Sequence, residues 1–267
     1  VAKFLYMMQD FAAPFAGFGR IMFGGNTRMG FIDSFVMQFN STFIVDNRWK
    51  VFLGGFKNTI LITVIAALIG IALGTVIAVI HYMASEKRKR KNLGTILLTI
   101  VDKILVAYVA VMRGTPLAIQ LMIMAFLILA GKDKLVVACV AFGLNSAAYV
   151  SEVIRGGINS VDVGQMEAGR SLGLSRVTTM RKIILPQAVK NILPALCNEG
   201  IAVLKETSIV GLIAVVDLTR ASDLVRSRTL LAFFPLVSVA LIYFLLVFGL
   251  STAVGHLERR LAKSDRG

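Results

Sequence analysis

The segment GGINSVDVGQMEAGRSLGLSRVTTMRKIILPQAVKNILPAL, residues 156–196, decides the fold of this chain. It is too long for a turn and too patterned for a linker, and it lies between strongly apolar runs. Hydrophobic residues make up 57% of the 267 residues and charged residues 16%, against about 45–50% and 25% in soluble domains. The mean hydropathy is +0.78. These values exclude an ordinary soluble enzyme, a disordered protein and a disulfide scaffold, and they indicate an all-α integral membrane protein.

The pattern inside this segment predicts two helices joined by a sharp turn. The first helix covers 166–172, and Gly173 ends it as a left-handed cap. Ser175 is a suitable N-cap for a second helix over 176–185, and Pro186 blocks simple continuation of that helix. A short exposed helix between two membrane spans has a good shape for docking a soluble partner.

About 20 mostly apolar residues are needed for a helix to cross a bilayer. We predict five spans, and in the second of them an amphipathic run over 96–112 leads into a shorter apolar one. The five predicted spans are 56–82, 96–130, 135–154, 192–216 and 233–254.

The positive charges predict the orientation of these spans. The chain has a net charge of +14, and its lysines and arginines concentrate in 85–92, 155–190 and 259–266. With five spans these three segments fall on one side, which the positive-inside rule identifies as the cytoplasm. The N-terminus is then outside and the C-terminus cytoplasmic. Cytoplasmic loops explain the charge better than nucleic acid, which we do not expect as a partner.

The distribution of apolar runs and positive charges predicts that the chain has three parts. Residues 1–50 form an N-terminal extracytoplasmic or interfacial segment, in which 31–44 has mixed helical spacing suited to a helix lying flat at the outer interface. Residues 51–258 form the transmembrane domain. Residues 259–267 form a basic cytoplasmic tail.

The polar segment resembles the EAA loop of permeases from binding-protein-dependent ABC importers. The loop pattern is E-A-A, three residues, G, nine residues, then I-x-L-P. The chain has Glu167, Ala168 and Gly169, then Gly173, and the closing residues at the same spacings. Its one departure is Gly169 in place of the second alanine, which loosens a helix by about 1 kcal/mol. The residues that the resemblance assigns to ATPase coupling are Glu167, Ala168, Gly169, Gly173, Leu174, Ile183, Leu185 and Pro186.

Further segments resemble the permeases for polar amino acids, the relatives of histidine, glutamine, glutamate and arginine permeases. These segments are Arg113–Leu117, Asn145–Tyr149, Glu152–Gly157 and Lys205–Ser208. The resemblance runs from about Trp49 to Leu261. It implies a type I importer permease with a five-span core in the bacterial inner membrane. It also implies a second permease subunit, identical or different, an ATPase dimer docked on the EAA loops, and an extracytoplasmic substrate-binding protein.

The chain has no phosphate-binding loop of the pattern G-x-x-x-x-G-K-[ST]. We therefore expect it to bind no cofactor, and ATP to be used by the partner ATPase. No serine–histidine–aspartate, metal-ligand or paired-carboxylate pattern appears. The sequence therefore predicts a permease without catalytic or metal-binding residues.

Charged residues in the fourth predicted span are the main candidates for substrate binding. Such charges cost at least about 2.5–3.5 kcal/mol each at membrane depth and face an interior or a cavity. An amino acid needs an acceptor for its ammonium and donors for its carboxylate, and this span supplies both. The candidates are Asn198, Glu199, Lys205, Glu206, Thr207 and Ser208, together with Asn145, Ser146 and Tyr149 from the third span.

Structural roles are the alternatives for several of these residues. Lys205 and Glu206 could pair and lock the helix packing, and Asn145 and Tyr149 could form interhelical hydrogen bonds. Glu152 is expected to pair with Arg155, three residues further on its helix.

Two carboxylates seven residues apart, Glu199 and Glu206, lie on nearly the same helix face. They favour a cationic substrate such as arginine, lysine or histidine slightly over glutamine or glutamate. Neutralisation of one of them by Lys205 would favour glutamine instead. The rival hypothesis is an ion-coupled secondary amino acid transporter, which explains the buried charges but not the EAA loop.

Overall fold

The computed structural model describes residues 31–87, 92–231 and 233–263, and these residues form helices and turns without a β-strand. The basic run at 88–91, the first 30 residues of the predicted N-terminal segment and the last four of the predicted tail lie outside the described residues. The α-helices are α1 Phe31–Phe39, α2 Trp49–Lys87, α3 Leu93–Gly114, α4 Leu117–Ile123, α5 Lys134–Asn159, α6 Val163–Ser171, α7 Arg176–Thr179, α8 Leu185–Glu206, α9 Leu218–Thr229 and α10 Phe234–Lys263.

In this described part of the chain, four helices are long and apolar enough to cross a membrane, namely α2, α3, α5 and α10. The remaining predicted span, over 192–216, consists of the end of α8 and a 3-10 helix, Thr207–Ile213. Its charged residues keep it below the apolar composition of the other four. The structure therefore confirms a helical membrane fold and shows that one of the five predicted spans is polar and irregular.

The second predicted span is broken rather than continuous. Helix α3 ends at Gly114, and Thr115 is extended, with φ −121° and ψ 148°. Residues that precede proline avoid the helical region because the proline ring crowds their backbone, and Pro116 follows here. A short helix, α4, then continues through a π turn, Met124–Ile128.

Helices α2 and α5 approach each other closely through small residues. A Cβ atom on Gly70 would lie 2.6 Å from Oγ of Ser146, and one on Gly74 would lie 2.7 Å from Cβ of Val150. Conversely, a Cβ atom on Gly143 would lie 2.7 Å from Cβ of Ile69. Glycines four residues apart let helix backbones approach within a membrane, and here they bring α2 against the most buried helix of the fold.

The core that surrounds α5 is made mostly of aliphatic and small side chains. Its largest fully buried members are Phe142, Ile62 and Leu121, at 1%, 0% and 0% exposure. Cys139 is buried in the same cluster. This core lies in the larger of the two compact units of the chain, which also carries the candidate site residues.

A second compact unit contains α1, the first turns of α2, α9 and the first turns of α10. In it, Gly55 packs against the backbone of the turn before α9, since a Cβ atom there would lie 2.5 Å from the carbonyl oxygen of Asp217. The Asp217 side chain caps α9 by accepting hydrogen bonds from the N–H groups of Thr219, at 2.9 Å, and Arg220, at 3.0 Å.

Pro186 does not end the second helix of the EAA loop as the sequence predicts. Helix α7 ends at Thr179, and a π turn, Met180–Ile184, leads directly into α8. The π turn bonds across five residues and places Pro186 in the first turn of α8. A missing N–H group is tolerated there, because first-turn N–H groups have no partner within the helix.

Candidate coupling segment and translocation site

The short helix of the EAA loop, α6, has a well-defined cap at each end. Oδ1 of Asp162 accepts a hydrogen bond from the N–H of Gly164 at 2.6 Å. At the other end Gly173 has φ +81°. The N–H of Gly173 donates to the carbonyl of Arg170 at 3.0 Å, and the N–H of Leu174 to that of Gly169 at 3.1 Å. This Schellman arrangement confirms the predicted helix and its left-handed cap, although the helix begins three residues earlier.

The second cap of the segment also forms as predicted. Oγ of Ser175 accepts a hydrogen bond from the N–H of Thr178 at 3.1 Å. Oγ1 of Thr179 donates to the carbonyl of Ser175 at 3.1 Å. The turn between α6 and α7 is therefore fixed by its own hydrogen bonds.

The departure from E-A-A at Gly169 has a structural reason. Gly169 and Thr179 are both buried, and they face each other where α6 packs on α7. A Cβ atom on Gly169 would lie 2.5 Å from Cγ2 of Thr179 and 2.7 Å from its Oγ1. The threonine side chain thus fills the place that an alanine methyl group would need.

The predicted coupling residues divide between an exposed surface and a buried contact. Gly169 is buried, and Leu174 and Ile183 are half-buried. The exposed members are Glu167, Ala168, Gly173, Leu185 and Pro186.

Exposed apolar side chains flank this surface. The exposed fractions are 72% for Val163, 80% for Leu172 and 72% for Val177. Apolar side chains exposed together on a polar segment are typical of a protein interaction site. The segment can therefore offer a soluble partner both apolar contacts and the carboxylate of Glu167.

In the fourth predicted span, Glu199 is held by the core helix α5. Oγ of Ser146 donates a hydrogen bond to Oε1 of Glu199 at 3.1 Å. Ser146 is 1% exposed, and Gly70 of α2 leaves the room for its side chain. Two of the predicted site residues, from two different spans, are thus in direct contact.

The other polar residues of this span lie in different surroundings. Lys205, Glu206 and Asn198 are exposed. Among the described residues, Lys205 and Glu206 do not form the ion pair that was the structural alternative. Thr207 is fully buried, and its Oγ1 donates to the carbonyl of Leu204 at 2.7 Å, while Ser208 is half-buried.

Asn145 closes the break between α3 and α4. Its Nδ2 donates to Oε1 of Gln120 at 2.9 Å and to the carbonyl of Met112 at 3.2 Å. Nε2 of Gln120 donates in turn to the same carbonyl at 2.8 Å and to Oγ1 of Thr115 at 2.8 Å. These are the interhelical hydrogen bonds that were the alternative to substrate binding for Asn145. The sequence analysis missed Gln120, whose only sequence signal is an amide four residues after a proline break.

Tyr149 belongs to a charged cluster formed by α3 and α5. The guanidinium carbon of Arg113 lies 5.4 Å from the centre of the Tyr149 ring. Glu152 binds Arg155 at 2.6 Å, which confirms that predicted pair, and it also binds Arg113 at 3.2 Å. The Arg113 contacts join residues far apart in the chain and could not be read from helical spacing.

The fold and the coupling segment together define a multi-pass membrane permease of the type I ABC importer class. Residues 93–263 match the family of binding-protein-dependent transport system inner membrane components. The chain belongs to this family, which accounts for the EAA loop that an ion-coupled secondary transporter leaves unexplained.

Similar proteins include permeases named for different amino acids. The chain is 39% identical to the arginine transport system permease protein of Bacillus subtilis (strain 168), covering 80% of this chain and 93% of the relative. It is 42% identical to a putative glutamine transport system permease protein of Rickettsia bellii (strain RML369-C), and the alignment covers 59% of this chain and 74% of the relative. A crystal structure of an amino acid ABC transporter with histidines superposes with a TM-score of 0.71 at 37% identity, covering 79% of this chain and 94% of that one.

Proposed function

We propose that this chain is the transmembrane subunit of an ATP-driven importer that moves polar amino acids across the bacterial inner membrane by alternating access. The observation that carries the proposal is the exposed helix α6, which is ended by a Schellman turn at Gly173 in a chain of the importer family. This chain then binds no cofactor of its own and catalyses no reaction, and ATP is hydrolysed by a partner subunit.

An ATPase dimer is the proposed partner on the coupling segment. Closure of that dimer would pull two copies of α6 together and switch the cavity between inward-facing and outward-facing. A second permease subunit, identical or related, would supply the other α6. An extracytoplasmic binding protein would deliver the amino acid. The positive-inside rule favours an N-terminus outside and a tail after α10 in the cytoplasm, and we include this orientation in the proposal.

Glu199 is the residue on which the proposed substrate class depends. Its carboxylate is fixed by Ser146, and Glu206 follows it by two helical turns. A carboxylate at each end of an extended cationic amino acid would form charge-assisted hydrogen bonds worth about 1.5–3 kcal/mol each. We therefore favour arginine, lysine or histidine over glutamine and glutamate. The competing observation is that Lys205 is exposed beside Glu206. Neutralisation of one glutamate by this lysine would favour glutamine as the substrate.

Competition uptake tests this substrate class. Radiolabelled substrate is offered to the complete transporter in proteoliposomes, against an excess of arginine, lysine, histidine, glutamine or glutamate. We expect cationic competitors to be the most effective, and Glu199→Gln to weaken them more than it weakens glutamine. Glu258→Gln, at an exposed position near the end of α10, is the matched control. The cationic assignment would be refuted if arginine does not compete with glutamine uptake, or if Glu199→Gln leaves the order of the competitors unchanged. Uptake without any ATPase subunit would refute the whole proposal.

A further inference from the structure

Helix α1 has an inverted distribution of polar and apolar side chains. Ser34 and Gln38, one turn apart, are 4% and 2% exposed. In contrast, Ile32 is 74% exposed, Phe35 47% and Val36 49%. A helix at a water-facing protein surface buries its apolar side chains and exposes its polar ones. The opposite arrangement indicates that the medium outside α1 is apolar.

Four exposed apolar side chains of α1 form one continuous sector, and a fifth, Met37 at 44% exposure, lies apart from it. At about 100° per residue, Ile32, Phe35, Val36 and Phe39 fall within an arc of roughly 100°. Asp33 and Asn40, which are also exposed, lie together beyond one edge of this arc. A helix with an apolar arc and a polar edge suits the boundary between acyl chains and lipid headgroups.

Aromatic contacts connect this sector to two of the spanning helices. The ring of Phe35 lies 5.4 Å from that of Phe234, at the start of α10. On the other side, Phe43 lies 5.2 Å from Phe39 and 4.9 Å from Phe52 of α2. The apolar face of α1 is therefore continuous with two helices that are long and apolar enough to cross a membrane.

The residues that follow α1 carry the signature of a membrane interface. The only tryptophan of the chain, Trp49, is 44% exposed at the first residue of α2. Nζ of Lys50 lies 5.8 Å from its ring centre. Tryptophan and lysine are enriched at the ends of spanning helices, where one part of the side chain is in lipid and the other in water.

We propose that α1 is a membrane-interface helix, whose arc of Ile32, Phe35, Val36 and Phe39 contacts lipid acyl chains while Asp33 and Asn40 face the headgroups. The occupant of this surface is the bilayer rather than another protein. Its apolar arc contains no charged side chain, and it continues the lipid-facing surface of α10. Helix α1 lies before the region that the family model matches.

Tryptophan fluorescence tests the proposal, because removal of one residue leaves the chain without tryptophan. The background variant is Trp49→Phe, and a single tryptophan is introduced by Val36→Trp. Leu241→Trp, at a 57% exposed position of α10, is the lipid-facing control. Arg228→Trp, at an exposed position of the polar helix α9, is the water-facing control. Each variant is reconstituted as the complete transporter in vesicles of ordinary or brominated phosphatidylcholine, and the emission of the Trp49→Phe background complex is subtracted to remove the contribution of the partner subunits.

We expect brominated lipid to quench Val36→Trp about as strongly as Leu241→Trp, and iodide to quench it much less than Arg228→Trp. Strong quenching by iodide with little quenching by brominated lipid would show that α1 faces water and would overturn the proposal. Protection from both quenchers would show that another protein surface covers α1, which would also overturn it. Retention of ATP-dependent uptake by each variant shows that the fold is intact.

Discussion

Thr179 occupies the space that a side chain on Gly169 would need, with its Cγ2 atom 2.5 Å from the position of a Cβ atom on that glycine. Both residues are buried where α6 packs on α7. The glycine in the E-A-A position and the threonine ten residues later are therefore a complementary pair. Neither can be understood from its own position in the sequence.

Gly169→Ala is expected to impair coupling, and Thr179→Ala is expected to restore it in the double variant. The added methyl group overpacks a buried contact, at a cost of about 1–3 kcal/mol, which exceeds the gain of roughly 1 kcal/mol in helix propensity. The measurements are the thermal unfolding temperature and the substrate-stimulated ATPase activity of the reconstituted complex. A single variant that matches the wild type in both would show that α6 and α7 do not pack as described.

Gly173→Val is expected to abolish uptake while the protein still inserts into the membrane. Gly173 has φ +81°, and no atom lies within 4 Å of the place of its Cβ, so any effect comes from the backbone rather than from a clash. β-Branched residues tolerate this left-handed conformation poorly, whereas asparagine tolerates it. Gly173→Asn is therefore the matched control and should keep most of the ATPase stimulation. Wild-type stimulation in Gly173→Val would contradict the role of this turn in coupling.

The adjacent pair Gly54 and Gly55 provides a matched test of packing in the unit that contains α1. A Cβ atom on Gly55 would lie 2.5 Å from the backbone carbonyl oxygen of Asp217, whereas one on Gly54 meets nothing within 4 Å. We expect Gly55→Ala to lower the thermal unfolding temperature in detergent. Gly54→Ala should leave it unchanged or raise it, because alanine is favoured over glycine by about 1 kcal/mol within a helix. Equal effects of the two substitutions would show that α2 does not contact the Asp217 turn.

Asp217 should make the stability of the same unit depend on pH. Its carboxyl group is fully buried, and burial raises its pKa above the usual value, although hydrogen bonds from the N–H groups of Arg220 and Thr219 oppose the shift. A raised pKa means that the folded state binds the proton more tightly than the unfolded state. Above its folded-state pKa, the ionised carboxylate of Asp217 therefore lowers the free energy of unfolding. This destabilisation disappears as the pH falls through the folded-state pKa toward the ordinary carboxyl value of about 3.9.

The comparison of Asp217→Asn with the wild type measures this dependence. Asparagine keeps the cap of α9 but cannot ionise, so the wild type should gain unfolding temperature relative to Asp217→Asn as the pH is lowered from neutral toward the ordinary carboxyl pKa of about 3.9. Asp217→Ala should be less stable than Asp217→Asn by about 1 kcal/mol at either pH, because the cap is lost. If the wild type instead loses unfolding temperature relative to Asp217→Asn as the pH is lowered, the pKa of Asp217 is not raised by folding.

The spacing of residues along the chain was sufficient to predict those elements that are stabilised by neighbouring residues. Gly173 and Ser175 could be assigned as caps because capping depends on residues within one helical turn of each other. The Glu152–Arg155 pair followed from helical spacing for the same reason. The membrane spans followed from composition, because a bilayer requires long apolar helices whatever their neighbours are.

The sequence by itself determined the membrane class, the family and the two-helix coupling segment. Only the tertiary structure decided that Thr179 fills the space beside Gly169, that Gln120 and Asn145 close the break at Pro116, and that Ser146 holds Glu199. These contacts join residues eight to fifty-three positions apart, and no periodicity in the chain encodes such distances. They arise because packed helices place particular side chains face to face, and that depends on how closely glycines such as Gly70 let the helices approach.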